Sequence, residues 1–364
     1  MDGSGRVGLV VAGLGGVGSS LVAGILAARA HLVHPFGSLA EAGGAAGGGA
    51  LSPLRAQAPL AELADLELGA FEVRDDDAYR AALRANLVSR SLVDELRPEL
   101  RKVRAMLGAR HAPTRRHLAD ALAEDLRGFL AHHHCARGIL VCTLPGPSAP
   151  PSRPGPTAGD VLLALDEGAD WITPGVVYAA AAAQAGFAFV AAGRDPSLCA
   201  PGVAGLFAER GLPIAGATLL GPDAMLREAL ANVLAAEGLR ITGTASLSTR
   251  AEERGARLWG GPDRTSEMGL GCGWAGAPFE ASMELRGQVP LYLAARALDA
   301  ALLVDLAARA GRAGVQEWMG ALFAAPLANR SPREAAAPLT LADRRARLVR
   351  ELPSLARSAG REAA

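Results

Sequence analysis

"RVGLVVAGLGGVGSSLVAGILAARA", residues 6–30, reads as a strand, a glycine loop and a helix. Residues 7–12 form a continuous apolar run, the pattern of a strand buried on both faces of a parallel sheet. Residues 20–30 read as a helix. Between them Gly13, Gly15 and Gly18 stand as GxGxxG. The first glycine permits the tight turn, the second lets the backbone approach a pyrophosphate, and the third lets helix and strand pack closely. The anion would rest on the helix amides near Val17–Ser20. A glycine triplet alone is weak in a chain with 44 glycines; its place at the first strand–helix junction strengthens it. A ribose-binding acid is expected at the end of the second strand, usually about 20 residues on. The candidate is Glu72 in "GAFEVRDDD", much further along, so residues 31–65 must be an insertion. An acid there favours NAD over NADP; a solvated strand end is the other reading of Glu72.

Outward from this unit, the chain alternates strands and helices. Strands are expected at 66–73, 138–144, 187–192 and 212–216. Helices are expected at 160–168, 174–185 and 201–210, with two more between Asp77 and Leu100. "TRRHLADALAEDLRGFLAHH" sets Leu118, Leu122, Leu126, Phe129 and Leu130 on one face, with Thr114 as N-cap. Apolar strands alternating with helices indicate an α/β fold, a parallel sheet covered on both sides. "AEAGGAAGGGA" (40–50) and "PGPSAPPSRPGPTAG" (145–159) read as loops. After residue 240 the pattern changes: "LRITGTASLST" and "FEASMELRGQVP" read as strands of a second sheet, followed by a long Ala/Leu helix. The tail reads as one amphipathic helix ending near Pro353.

Composition narrows the function. Formal net charge is zero, which argues against nucleic acid or an anionic membrane as partner. The apolar stretch 175–193 carries Gln184 and Gly186 and reads as a buried helix, a turn and a core strand rather than a membrane span. Cys135, Cys142, Cys199 and Cys272 make no CxxC pair, and the N-terminus lacks the charged start of a secretory signal; both fit a cytoplasmic protein. No metal site is expected: the histidines of "HHHC" (132–135) are adjacent, and neighbours on a helix do not share a face. Of 37 Lys+Arg, one is lysine, Lys102. Arginine stays protonated, so chemistry that relies on a lysine base is absent or done differently.

Several segments in order resemble the myo-inositol-3-phosphate synthase family. They are "GLGGVGSSLVAGILAAR", "FGSLAEA", "GAFEVRDDDAYRAALRANLVSRSLVDELRPEL", "ITPGVVYAAAAAQAGFAFVAAGRDPSLCAPGVAGLFAERGLPIAG" and "LAARALDAALLVDLAARAGRAGVQEW". The resemblance implies a Rossmann-like NAD-binding domain with a late-inserted mixed α/β catalytic and oligomerisation domain, assembled as a homotetramer. It implies NAD-dependent conversion of glucose 6-phosphate to inositol 3-phosphate: oxidation of a ring carbon, enolisation, aldol closure and return of the hydride. The matching cofactor-binding positions are Gly13, Gly15, Gly16, Val17, Gly18, Ser19, Glu72, Thr143 and Asp299. The implied domains are 1–196 completed by 290–330, then 197–289, with 331–364 as a helical tail.

The resemblance breaks in the catalytic half. The family's "GDDFKSGQTK"-like signature aligns with residues 216–225, where its acids become Ala217 and Thr218, its lysines Leu220 and Met225, and its Gln Asp223. Its Asn-rich loop aligns with "ASLSTRAEERG", with Ser248, Glu252 and Arg254 at its polar positions, and the following segment is mostly deleted between about 256 and 281. In the family the lysines stabilise the enolate and alkoxide and move protons. Losing one such donor costs about 10²–10³ in rate, so losing several should abolish the standard reaction. The leading readings are an enzyme with a rebuilt site for a phosphorylated sugar or cyclitol, lined from Arg194, Asp195, Asp223, Arg227, Glu228, Arg250 and Glu252, and a catalytically degenerate regulatory or scaffold subunit; retained synthase activity and an oxidoreductase of net hydride transfer follow them.

Overall fold

The strand expected at the start of the chain is β1 (Val7–Ala12), and every one of its residues is buried. It lies at the middle of a sheet in a computed structural model that describes residues 5–42, 44–46, 49–147, 155–249, 263–327 and 340–362. The chain then runs through α1 (Gly16–Arg29), a short pair β2 (Gly44–Ala46) and β3 (Gly49–Leu51), and β4 (Leu66–Glu72). Next come α2 (Ala78–Ala85), α3 (Arg90–Glu95), α4 (Arg97–Lys102), β5 (Ala105–Leu107), α5 (Arg115–His133) and β6 (Arg137–Cys142). They are followed by α6 (Ala158–Glu167), α7 (Pro174–Ala185), β7 (Phe187–Ala191), α8 (Pro201–Ala208) and β8 (Pro213–Leu219).

The main sheet has the order β12–β8–β7–β6–β1–β4–β5, where β12 is Gly314–Val315; a further strand, β13 (Phe323–Pro326), pairs with β8. All pairings along that path are parallel, and β13 alone runs antiparallel. From β1 the chain builds outward to β4 and β5, then returns to β6 on the other side of β1. That reversal opens a crevice at the carboxyl ends of β1 and β6, the place where doubly wound sheets bind ligands.

Local chemistry explains the helices. Thr173 accepts from the Val176 N–H at the start of α7, Pro174 fills the first turn, and Gly186 ends the helix in the left-handed conformation. Thr157 and Asp160 form a reciprocal capping box on α6. Thr114 caps α5 as its sequence suggests, and Leu122 and Leu126 are fully buried. Each such leucine contributes about 1.5–3 kcal/mol on burial. They share a core with Phe71, Leu140, Phe189 and the alanines of α7. Leu9 and Val11, at the alternate positions of β1, are buried too, so both sheet faces are covered.

A second compact unit, Leu220–Leu293, is separate from the unit formed by Met1–Leu219 and Ala294–Ala364. It holds α9 (Pro222–Ala236), β9 (Arg240–Thr249), β10 (Asp263–Cys272), β11 (Pro278–Gly287) and the first turn of α10 (Val289–Arg309). β10 is central and antiparallel to both neighbours, and α9 packs on the sheet.

Several expectations need correcting. β10 is a strand that was not expected, because glycines at 269 and 271 interrupt its alternating pattern. The Gly/Ala stretch 40–50 holds the β2–β3 pair where a loop was expected. Three helices, not two, lie between Asp77 and Val103, since the chain turns at Asn86 and again at Leu96. A boundary after 196 would cut off α8 and β8, yet β8 pairs with β7 inside the main sheet. The last helix, α11 (Leu341–Glu362), runs through Pro353 rather than stopping there. Proline in that register leaves one carbonyl without its helical donor, and the exposed side of the helix tolerates this because water can serve it.

Candidate dinucleotide site

Four pieces of chain meet at the carboxyl end of β1. Gly13 turns with φ +94° and donates its N–H to the Phe71 carbonyl at 2.9 Å. A side chain is strained there by that angle alone. Gly18 is required by contact: a Cβ would lie 2.1 Å from the Gly13 carbonyl oxygen. Gly15 differs from both, since a Cβ there meets nothing within 4 Å, so the loop faces open space at that point.

α1 begins just after Gly15, with no side-chain cap and no acid in its first turn. The amides of Gly16, Val17 and Gly18 therefore carry the helix's positive end with no acid of the helix's own first turn against them. Ser19 is buried, and its hydroxyl donates to the Gly15 carbonyl at 2.7 Å. Its role is to lock the loop rather than to offer an O–H to a ligand.

Glu72, at the end of β4, lies 58 residues from Leu14 in sequence yet accepts the Leu14 N–H at 3.1 Å. Its other oxygen accepts the Val73 N–H at 2.9 Å. On the far side, Thr143 continues from β6 and donates its hydroxyl to the Gly13 carbonyl at 2.8 Å; its N–H goes to the Ala12 carbonyl at 3.0 Å. The loop, the acid and the threonine thus form one hydrogen-bonded cradle. A pyrophosphate fits the free helix amides and the open space at Gly15, and the carboxylate beside the loop suits a ribose hydroxyl.

Asp299 stands apart from this cradle. It lies on α10, fully buried, and accepts from the Ser38 hydroxyl at 2.6 Å and the Leu39 and Ala40 N–H groups at 3.0 Å. Arg296 pairs with it at 3.4 Å. Burial pushes its pKa up, against Arg296, Ser38 and the two amides, which pull it down. Asp299 holds the 38–40 segment in place and has no oxygen facing open space.

The other sequence candidates divide. Asp195 is fully buried, bonded to the Thr173 hydroxyl and the Ser197 N–H, so it shapes the turn after β7 and does not line an open pocket. Arg194 beside it is exposed. Asp223 lies in the first turn of α9. Arg227 donates to the buried carboxylate of Glu267 at 3.2 Å. Glu228 is half-buried. Arg250, Glu252 and Arg254 lie outside the described residues, and Ser248 falls in β9. Leu220 is 2 % exposed, Ala217 is buried and Thr218 half-buried. Met225 takes the Tyr292 hydroxyl at 3.6 Å through its sulfur. Cys142, one residue before Thr143, is fully buried, and its thiol is pushed up to about 12 by desolvation, so it is inert. Tyr178 and Trp318 are core aromatics that donate to the Gly108 carbonyl and the Gln316 side chain. Among the described residues, no group of His, Cys, Asp and Glu could hold a metal. No helix among them is long and apolar enough to cross a membrane.

Sequence reasoning missed two polar nodes. Asp305 is buried on α10 and binds Arg137 and Arg309. Arg84 on α2 binds Asp76 and lies 3.8 Å from Glu72. An acid inside the apolar run of α10 signals the first; the second has no local signal.

A family model described as myo-inositol-1-phosphate synthase, of NAD-binding type, matches residues 7–337. The chain belongs to that family. NAD is the cofactor of the family. Inositol-3-phosphate synthase 1 from Bacteroides thetaiotaomicron is 24% identical over 401 aligned positions, covering 89% of this chain and 90% of the relative. The fold matches a crystal structure of inositol-3-phosphate synthase from Caenorhabditis elegans with a TM-score of 0.81 at 16% identity, over 97% of this chain and 86% of that one. It also matches the protein Ari2, with a TM-score of 0.65 at 19% identity over 97% and 99% of the two chains. A myo-inositol-1-phosphate synthase-related protein from Thermotoga maritima gives 0.64 at 17% identity over 94% and 97%.

Proposed function

We propose that this synthase-family chain holds NAD against Gly13–Ser19, Glu72 and Thr143 and acts on a phosphorylated sugar or cyclitol by chemistry that dispenses with the family's lysines. The cradle supports the first half, above all the Leu14–Glu72 hydrogen bond across 58 residues. In it the amides of α1 would bind the pyrophosphate, and Glu72 would accept the hydroxyls of the adenosine ribose. NAD, when bound, supplies a hydride acceptor that becomes a donor, which suits an oxidation later reversed. The second half rests on Leu220, whose place in the family signature belongs to a lysine and which here is 2 % exposed. A buried leucine can neither carry a proton nor stabilise an enolate. Glucose 6-phosphate cyclisation at the family's usual rate is therefore not expected.

The test is incubation of the pure chain with NAD and a panel of sugar phosphates that includes glucose 6-phosphate, followed by phosphorus NMR. A new cyclitol phosphate from another member of the panel supports the reading. Unchanged sugar phosphates throughout, with NAD bound, favour the second reading: a catalytically degenerate subunit that regulates or scaffolds an active synthase. The hydrophobic positions 220 and 225 support that alternative, and co-purification with an active synthase would establish it. We also propose a homotetramer, to be measured by light scattering. Leu270, 45% exposed on the sheet of the second unit, and Trp274, 95% exposed at its hairpin, are apolar groups that a second copy would cover.

A further inference from the structure

Arg84 occupies an unusual position beside the cradle. It stands in the last turn of α2, its side chain 36% exposed, with its guanidinium held by Asp76 and 3.8 Å from the same Glu72 oxygen that accepts the Leu14 N–H. Glu72 and Asp76 are the more enclosed partners, 14% and 15% exposed. Two carboxylates around one guanidinium leave the group net negative at neutral pH. Other charges nearby do not alter this. Arg74 and Asp75 are both exposed, and Asp77 is occupied as the cap of α2, accepting the Arg80 N–H at 2.8 Å.

NADP differs from NAD by a phosphate on the ribose hydroxyl that such an acid binds, and NADP sites meet that phosphate with an arginine. Here the arginine is already present, one ion pair away from the acid. We propose that Arg84 is a masked 2′-phosphate-binding group, and that Glu72 and Asp76 together set the preference for NAD by neutralising it. The proposal rests on the reading of Gly13–Ser19 and Glu72 as the dinucleotide site. Glu72 excludes the phosphate by charge and by filling its place; Asp76 excludes it by engaging the guanidinium that would bind it. Removing both acids leaves a net positive pocket, floored by the Leu14 N–H, with room where the Glu72 carboxylate stood.

The experiment is calorimetric titration of the full chain with NAD, NADP and 2′,5′-ADP. The variants are Glu72→Ala, Asp76→Asn, the double variant, and the double variant with Arg84→Met. The wild type should prefer NAD. The double variant should bind NADP and 2′,5′-ADP about 10- to 100-fold more tightly than the wild type, the worth of one charge-assisted hydrogen bond. Adding Arg84→Met should erase that gain and leave NAD affinity within a few fold of the double variant. Glu72→Ala alone, which vacates the place, should show part of the gain, and that decides the matter even if the double variant does not fold. A gain that survives Arg84→Met would pass the role to Arg74 and overturn the proposal, as would no gain in variants that still bind NAD. Gly15→Asp separates the two levels of inference, because it puts a carboxylate where a pyrophosphate would lie. If it binds NAD as tightly as wild type, the loop is not the site and both readings fall.

Discussion

Single atoms decide the behaviour of two residues. At Gly18 a methyl group would sit 2.1 Å from the Gly13 carbonyl, so α1 would have to move away from β1. Gly18→Ala should cost about 1–3 kcal/mol in urea unfolding, as overpacking does, and should weaken NAD binding in the same preparation. At Asp299 the cause is burial. Its native pKa is raised above the ordinary 3.8, so between that value and the native one the folded chain binds more protons than the unfolded chain. This residue's contribution to stability is thus fully present below 3.8 and is lost as pH rises through the native value. Asp299→Asn cannot accept from both amides and the Ser38 hydroxyl at once. It should be less stable than wild type by about 1–3 kcal/mol. Its deficit should be widest at low pH and narrow as pH rises, read from paired denaturation curves. A deficit independent of pH would show that Asp299 titrates alike in both states.

At the scale of elements, periodicity and capping place most helices within a few residues, and glycine and proline account for the exceptions. β10 was hidden because Gly269 and Gly271 take positions on its buried face where a strand pattern would show apolar side chains. An interior proline normally ends a helix, yet α11 continues through Pro353. Leu348, Leu352 and Leu355 are buried along it, and its contact with the 3₁₀ turn Glu317–Leu322 holds it through the defect. Packing there outweighs the lost hydrogen bond. Pro353→Ala should therefore stabilise the chain by about 1–3 kcal/mol, read as a higher denaturation midpoint with the same slope. A lower midpoint would mean that the proline itself is needed for the packing of the leucines.

At the scale of the whole molecule, a ligand that binds only the folded chain stabilises it. NAD at about 100 times its dissociation constant should add about 2.7 kcal/mol, read as a rise in the thermal midpoint. Gly15→Asp should fold like wild type without NAD, since that position is open, and should lose the rise. The sequence by itself determined the alternation of strands and helices in the first half of the chain, the glycine loop and the single lysine, because these depend on residue identity and short spacing. Glu72 reads from the sequence as either a ribose-binding acid or a solvated strand end, and only the parallel pairing of β1 with β4 sets it beside Leu14. Asp299 matched a cofactor position by alignment, and only the folding of residues 38–40 onto α10 showed its oxygens occupied. The Arg84 cluster exists solely in three dimensions. Hydrogen bonds and ion pairs act over about 3–4 Å of space, whatever the separation along the chain. A linear pattern records which groups a chain owns, and the sheet order decides which of them meet.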